Sequence, residues 1–117
     1  MFEPFLRAFR AGGLFGLVLF FGAVSVTPSL AGDAAAGRDK AAACRACHGL
    51  DGIARLPNAP HIAGESELYL IAQLRAFRSG ERKSELMSVV AQSLSDDDIA
   101  DLAAWYASIA FTVTLPE

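Results

Sequence analysis

Cys44-Arg45-Ala46-Cys47-His48 sets two thiols three positions apart and an imidazole directly after the second. At the end of a helix, this spacing lets both sulfurs reach the two vinyl groups along one edge of a porphyrin. The adjacent histidine can then turn its ring toward the iron, so five residues supply both covalent attachment and one axial ligand of a c-type heme. Three other chemistries use the same residues. Zinc would need two further ligands, and only His61 and carboxylates remain to provide them. A redox-active dithiol would expect a βαβ setting. A structural disulfide needs only an oxidising compartment.

The second axial position has three candidate outcomes. Met87, in Ser84-Glu85-Leu86-Met87-Ser88, is the one methionine besides Met1. Its thioether is a soft, neutral donor that favours ferrous iron and raises the reduction potential of a His/Met pair. A methionine also fills gaps in apolar cores. His61 would give a bis-histidine heme, and the third outcome leaves the position open.

These residues must be positioned by helices. Apolar residues follow helical spacing in three segments separated by Gly- and Pro-rich stretches, and no segment alternates as a strand, so the class is all-α. The first helix is predicted from Asp33, a candidate N-cap, to about Cys47. The second starts near Ser66 and ends before Gly80, with Leu68, Leu70, Ile71, Leu74 and Phe77 at helical spacing. The third opens on Ser95-Asp96-Asp97-Asp98, a capping box with Asp in the Glu place, and Ile99, Leu102, Ala103, Tyr106 and Ile109/Ala110 make its one apolar face. A long loop from Gly49 to Gly64 carries Pro57 and Pro60.

The amino-terminal segment reads differently. Arg7 and Arg10 precede an apolar run from Leu14 to Val26, followed by Pro28 and Ser29-Leu30-Ala31. A basic start, a short apolar centre and small residues at the end mark a secretory signal peptide. Its thirteen apolar-run residues fall short of the roughly 18–20 that cross a bilayer. Residues 1–31 are therefore expected to be a leader cleaved after Ala31 and residues 32–117 one exported domain. Retention of the leader would make it a membrane anchor. Export also fits a heme attached outside the cytoplasm.

The whole chain has 117 residues, with 10 Lys+Arg against 13 Asp+Glu, a formal net charge of −3. This acidic balance argues against a nucleic-acid binder, which needs a basic face. A domain this small also sits near the lower limit for a self-sufficient core, so a prosthetic group would add needed burial.

From Gly37 to Ser108 the chain resembles the class I c-type cytochromes, of the small bacterial monoheme kind that also forms each half of the diheme cytochromes. The likeness rests on Cys44-x-x-Cys47-His48-Gly49, Pro60-x-x-Ala63-Gly64, Tyr69-Leu70, Gln73-Leu74, Phe77-Arg78-Ser79-Gly80, Met87 and Leu94-Ser95-Asp96 through Ala104-x-Tyr106. The resemblance implies a cytochrome c fold, three main helices around one covalent heme c per chain. Cys44 and Cys47 would form the thioethers, and His48 and Met87 would be the axial ligands. The Pro60 carbonyl would accept the proton of the His48 nitrogen not on iron. Gly37 would let the first helix cross the last near Tyr106. Two residues depart from the pattern: His61 beside the proline, expected at the surface, and the bulky Trp105 before Tyr106.

With both axial positions filled, no base or nucleophile is poised for bond chemistry. The expected role is a periplasmic single-electron carrier rather than an enzyme. Its partners would be redox proteins: a dehydrogenase, an oxidase or a cytochrome complex. The rival role is the electron-accepting cytochrome subunit of a larger periplasmic dehydrogenase, suggested by Trp105 and by the apolar tail Phe111-Thr112-Val113-Thr114-Leu115. That tail is expected to pack on its own domain. Arg38, Arg45, Arg55, Arg75, Arg78, Arg82 and Lys83 are expected to be ordinary solvated charges, with heme propionates or an acidic partner as the other possible use.

Overall fold

The computed structural model describes residues 31–117, and the expected leader lies outside them except for Ala31. Five helices follow in order: α1 (Ala34–Lys40), α2 (Arg45–His48), α3 (Glu67–Ser79), α4 (Met87–Gln92) and α5 (Asp96–Ala107). No strand occurs among the described residues.

The caps read from the sequence are present. The Asp33 carboxylate accepts from the amides of Ala35 and Ala36, and the Ser66 hydroxyl accepts from Tyr69. Ser95 and Asp98 form the reciprocal capping box of α5. Gly80 ends α3 with φ +81°, a left-handed conformation that costs glycine nothing.

One expectation is corrected. The first helix is not continuous to Cys47: it ends at Lys40, passes through a 3-10 turn at Ala41–Ala43 and restarts as α2. Cys44 N–H bonds to Ala41 O at 2.9 Å, an i→i−3 bond in place of the α ladder. The tighter turn re-aims the Cys-x-x-Cys-His segment, and alanines accept either geometry. In addition, the stretch between the second and third main helices contains a short helix, α4, beginning at Met87.

α1 crosses α5 at Gly37. A Cβ built there would lie 1.9 Å from the Asp101 carbonyl oxygen and 2.9 Å from the Trp105 Cβ, so only glycine permits this approach. The crossing thus lies over Asp101 and Trp105, the latter directly before Tyr106 in the chain. Lys40 clamps the same pair of helices, its Nζ 2.8 Å from Asp98 Oδ1 and 2.6 Å from Asp101 Oδ2. Ala41, Leu70, Leu102, Ala103 and Tyr106 form the buried core where α1, α3 and α5 meet. Arg78 joins the end of α3 to the start of α5, donating to Leu94 O at 2.9 Å and to Asp96 at 2.6 Å.

Candidate functional site

One side of this core opens into a cavity of about 620 Å³. Cys44, Cys47 and His48 stand on one part of its lining and Met87 on another, joined by Pro60 and Tyr106. All five residues singled out from the sequence as holding or orienting a prosthetic group therefore converge on one cavity. Its volume lies in the range of small-molecule and cofactor sites.

His48 is 8% exposed, the one buried polar or charged side chain among the described residues. Its Nδ1 lies 2.9 Å from the Pro60 carbonyl oxygen. A carbonyl can only accept, so Nδ1 carries the proton and Nε2 keeps its lone pair as a donor for a metal. The loop that supplies Pro60 is itself pinned, because Ile62 N–H donates to Gly52 O at 2.8 Å.

Two aromatic residues of α5, not assigned this duty from the sequence, secure the backbone that follows His48. The Tyr106 hydroxyl donates to Gly49 O at 3.0 Å, and the Trp105 Nε1–H donates to Leu50 O at 3.0 Å. Trp105 thus packs on its own domain, with Arg38 5.9 Å above its ring. Burial pushes the Tyr106 phenol above its ordinary range, so it stays protonated and remains a donor.

Met87 is positioned by serines that sequence reasoning also missed. Its N–H donates to Ser84 Oγ at 3.2 Å, while the Ser84 N–H donates to Ser88 Oγ at 3.0 Å. This reciprocal pair starts α4 without a side-chain cap at Leu86. The spacing Ser84-x-x-Met87-Ser88 was the available signal.

Apolar side chains complete the wall, Leu70, Leu74, Phe77, Val90 and Leu102 among them. Cys44 and Cys47 are half-buried free thiols, and burial, followed by the charge of a neighbouring thiolate, pushes the Cys44 thiol above its ordinary range. Among the described residues, no group of three His, Cys, Asp or Glu side chains converges as a metal site, so zinc lacks a ligand set. His61 is an exposed residue whose Nδ1 accepts from Ala54 N–H at 2.8 Å, although it borders the cavity. The donor set and the apolar wall fit a porphyrin bound through two thiols, with a nitrogen and a thioether donor.

The sequence profile of the cytochrome c family matches residues 34–110. The chain belongs to the cytochrome c family. It is 52% identical over 81 residues to cytochrome c-554(548) of Halomonas halodenitrificans, covering 67% of this chain and 98% of that one. It is 41% identical over 69 residues to the thiosulfate dehydrogenase electron acceptor of Stutzerimonas stutzeri, covering 56% of this chain and 32% of that one. The crystal structure of reduced recombinant cytochrome c4 from Pseudomonas stutzeri superposes with a TM-score of 0.66 at 41% identity, covering 71% of this chain and 48% of that one. The chain therefore spans nearly all of the first relative and about half of cytochrome c4. This cytochrome c is an electron carrier rather than an enzyme, and it takes one covalent heme c. Its partners are redox proteins.

Proposed function

We propose that this cytochrome c is a periplasmic single-electron carrier whose heme c is held by Cys44 and Cys47 as thioethers and by His48 and Met87 as axial ligands. The observation that carries the reading is the meeting of these four side chains on one apolar cavity, with the His48 ring fixed by Pro60. When bound, the heme supplies a one-electron Fe(III)/Fe(II) couple.

The chain's own residues do the rest. The Pro60 carbonyl fixes the His48 tautomer and strengthens its Nε2 as a donor. The Ser84–Ser88 pair holds Met87 where a soft, neutral thioether favours the reduced state. Tyr106 and Trp105 keep the backbone after His48 from moving between oxidation states, which keeps reorganisation small. Leu70, Leu74 and Phe77 exclude water and lower the local dielectric.

Periplasmic placement rests on the leader pattern of residues 1–31. Among the described residues, no helix is long and apolar enough to cross a membrane. A pyridine hemochrome spectrum of the exported protein tests the attachment: a c-type band is expected, and a colourless product with alkylatable Cys44 and Cys47 would overturn it. Carbon monoxide added to the reduced protein tests Met87, because a large Soret shift would show the sixth position open.

One observation favours the second role, an electron-accepting subunit of a dehydrogenase. Contrary to expectation, the tail beyond Phe111 does not pack on its own domain. Phe111 touches Gly64, yet Val113 and Leu115 are 67% and 80% exposed. A relative is also named as the electron acceptor of thiosulfate dehydrogenase. Gel filtration of protein from its native host separates the two roles: elution at the size of the single chain supports the free carrier.

A further inference from the structure

The cations of the domain fall into two groups. Lys40, Arg55, Arg75 and Arg78 each have a carboxylate within 4 Å. Arg38, Arg45, Arg82 and Lys83 have none among the described residues, and of these four only Arg82 and Lys83 line the cavity.

Arg82 is also held in place. Its guanidinium lies over the Phe77 ring, 4.6 Å from the centroid. Its Nη1–H donates to Gln73 Oε1, and its backbone N–H donates to Ala76 O at 3.0 Å. Phe77 and Gln73 line the cavity as well. Ordering a long side chain costs rotamer entropy, and here a stacked ring and an amide meet that cost before any anion arrives. One of five guanidinium N–H donors is used, which leaves the rest of a planar fork suited to a carboxylate. The other charged groups at the cavity are Lys83 and Glu85 from the segment before α4, and Glu65 from the loop before α3. Neither glutamate pairs with Arg82.

We propose that Arg82 binds a propionate carboxylate of the heme, with Lys83 as a looser second cation at the same edge. This inference rests on the heme assignment made under Proposed function and adds a residue to it. Pairing a propionate offsets a negative charge near the iron, which otherwise stabilises the ferric state. Arg82 therefore raises the reduction potential and fixes one corner of the porphyrin.

The test uses the heme-loaded protein in wild-type, Arg82→Gln, Arg82→Lys and Arg55→Gln forms. Arg55→Gln removes an equal charge from a residue that pairs with Asp51 and lies off the cavity lining. Arg82→Gln is expected to disfavour reduction by about threefold or more, roughly 28 mV for one electron. Arg82→Lys should recover most of this shift, and Arg55→Gln should match wild type. Equal shifts in Arg82→Gln and Arg55→Gln would overturn the proposal. If Arg82→Gln yields no loaded protein, a crystal structure of the wild-type holoprotein decides. A guanidinium nitrogen within about 3.2 Å of a porphyrin carboxylate oxygen supports the pairing, and propionates bonded only elsewhere refute it. A protein without covalent heme refutes the earlier reading, whereas loaded protein with propionates away from Arg82 refutes this one alone.

Discussion

The Nδ1–H of His48 donates to the carbonyl oxygen of Pro60 across 2.9 Å and twelve residues of chain. This bond links the Cys-x-x-Cys-His turn to the far end of the loop that follows it, and it fixes the tautomer that leaves the His48 Nε2 lone pair free, as the proposed ligation requires. Because the acceptor is a backbone carbonyl, Pro60→Ala is expected to keep the bond and the ligand-field spectrum. Pro60→Gly, with a freer backbone, is expected to shift the potential and accelerate ligand exchange. Visible spectra and potentiometry of the two variants check this, and equal behaviour would show that loop stiffness is irrelevant.

In the proposed ligation, removing the Met87 thioether takes away the donor that favours reduced iron. Met87→Ala is expected to disfavour reduction by more than tenfold, each factor of ten being about 59 mV for one electron. It should also let carbon monoxide bind the reduced protein. An unchanged potential would assign the sixth position to another group.

At Gly37 an added methyl would have to share space with the Asp101 carbonyl. Gly37→Ala is expected to push α1 off α5 and to destabilise the domain by about 1–3 kcal/mol, the usual cost of overpacking. For a domain of this size, each kcal/mol lowers Tm by roughly 4–8 °C. Thermal denaturation followed by circular dichroism measures it, and an unchanged Tm would show that the helices can separate freely.

Tyr106→Phe removes the donor to Gly49 O, a carbonyl on a buried residue. An unsatisfied buried acceptor costs about 1–3 kcal/mol. The variant is expected to lose stability by that amount while retaining heme, as read by denaturant unfolding of the Soret band.

Lys40 holds the Asp98 carboxyl well below the usual range, aided by Ser95, and holds Asp101 down with help from the Asp33 amide. Carboxyls depressed by folding contribute stability that is complete above their unfolded pKa of about 3.9 and lost as pH falls through the folded values. Lys40 is raised by the same carboxylates, so its contribution is present below about pH 10 and lost as pH climbs past its folded value. Stability is therefore expected to fall below about pH 4. Asp101→Asn should flatten that acid limb, and urea midpoints measured against pH would show it. Because the three groups are partly solvated, added salt should weaken the effect.

Local chemistry was enough to determine much of this protein. Cys44, Cys47 and His48 act through spacing within one turn, and Ser66, Gly80 and the Ser95–Asp98 box act within three residues of themselves. Such features are written in the order of the chain, so the helix ends they cap, the all-α class and the heme-binding pentapeptide were legible in it. Met87 and Pro60 were legible as residue types, but their meeting with His48 on one cavity depends on contacts between distant segments. The 3-10 turn at Ala41–Ala43 escaped notice because alanine satisfies both helical geometries and the choice falls to packing. The bonds from Trp105 to Leu50 and from Tyr106 to Gly49, and the unpaired Arg82 facing the cavity, were decided by the tertiary structure alone. Each depends on which side chains the assembled core brings within reach, and no short-range propensity encodes that.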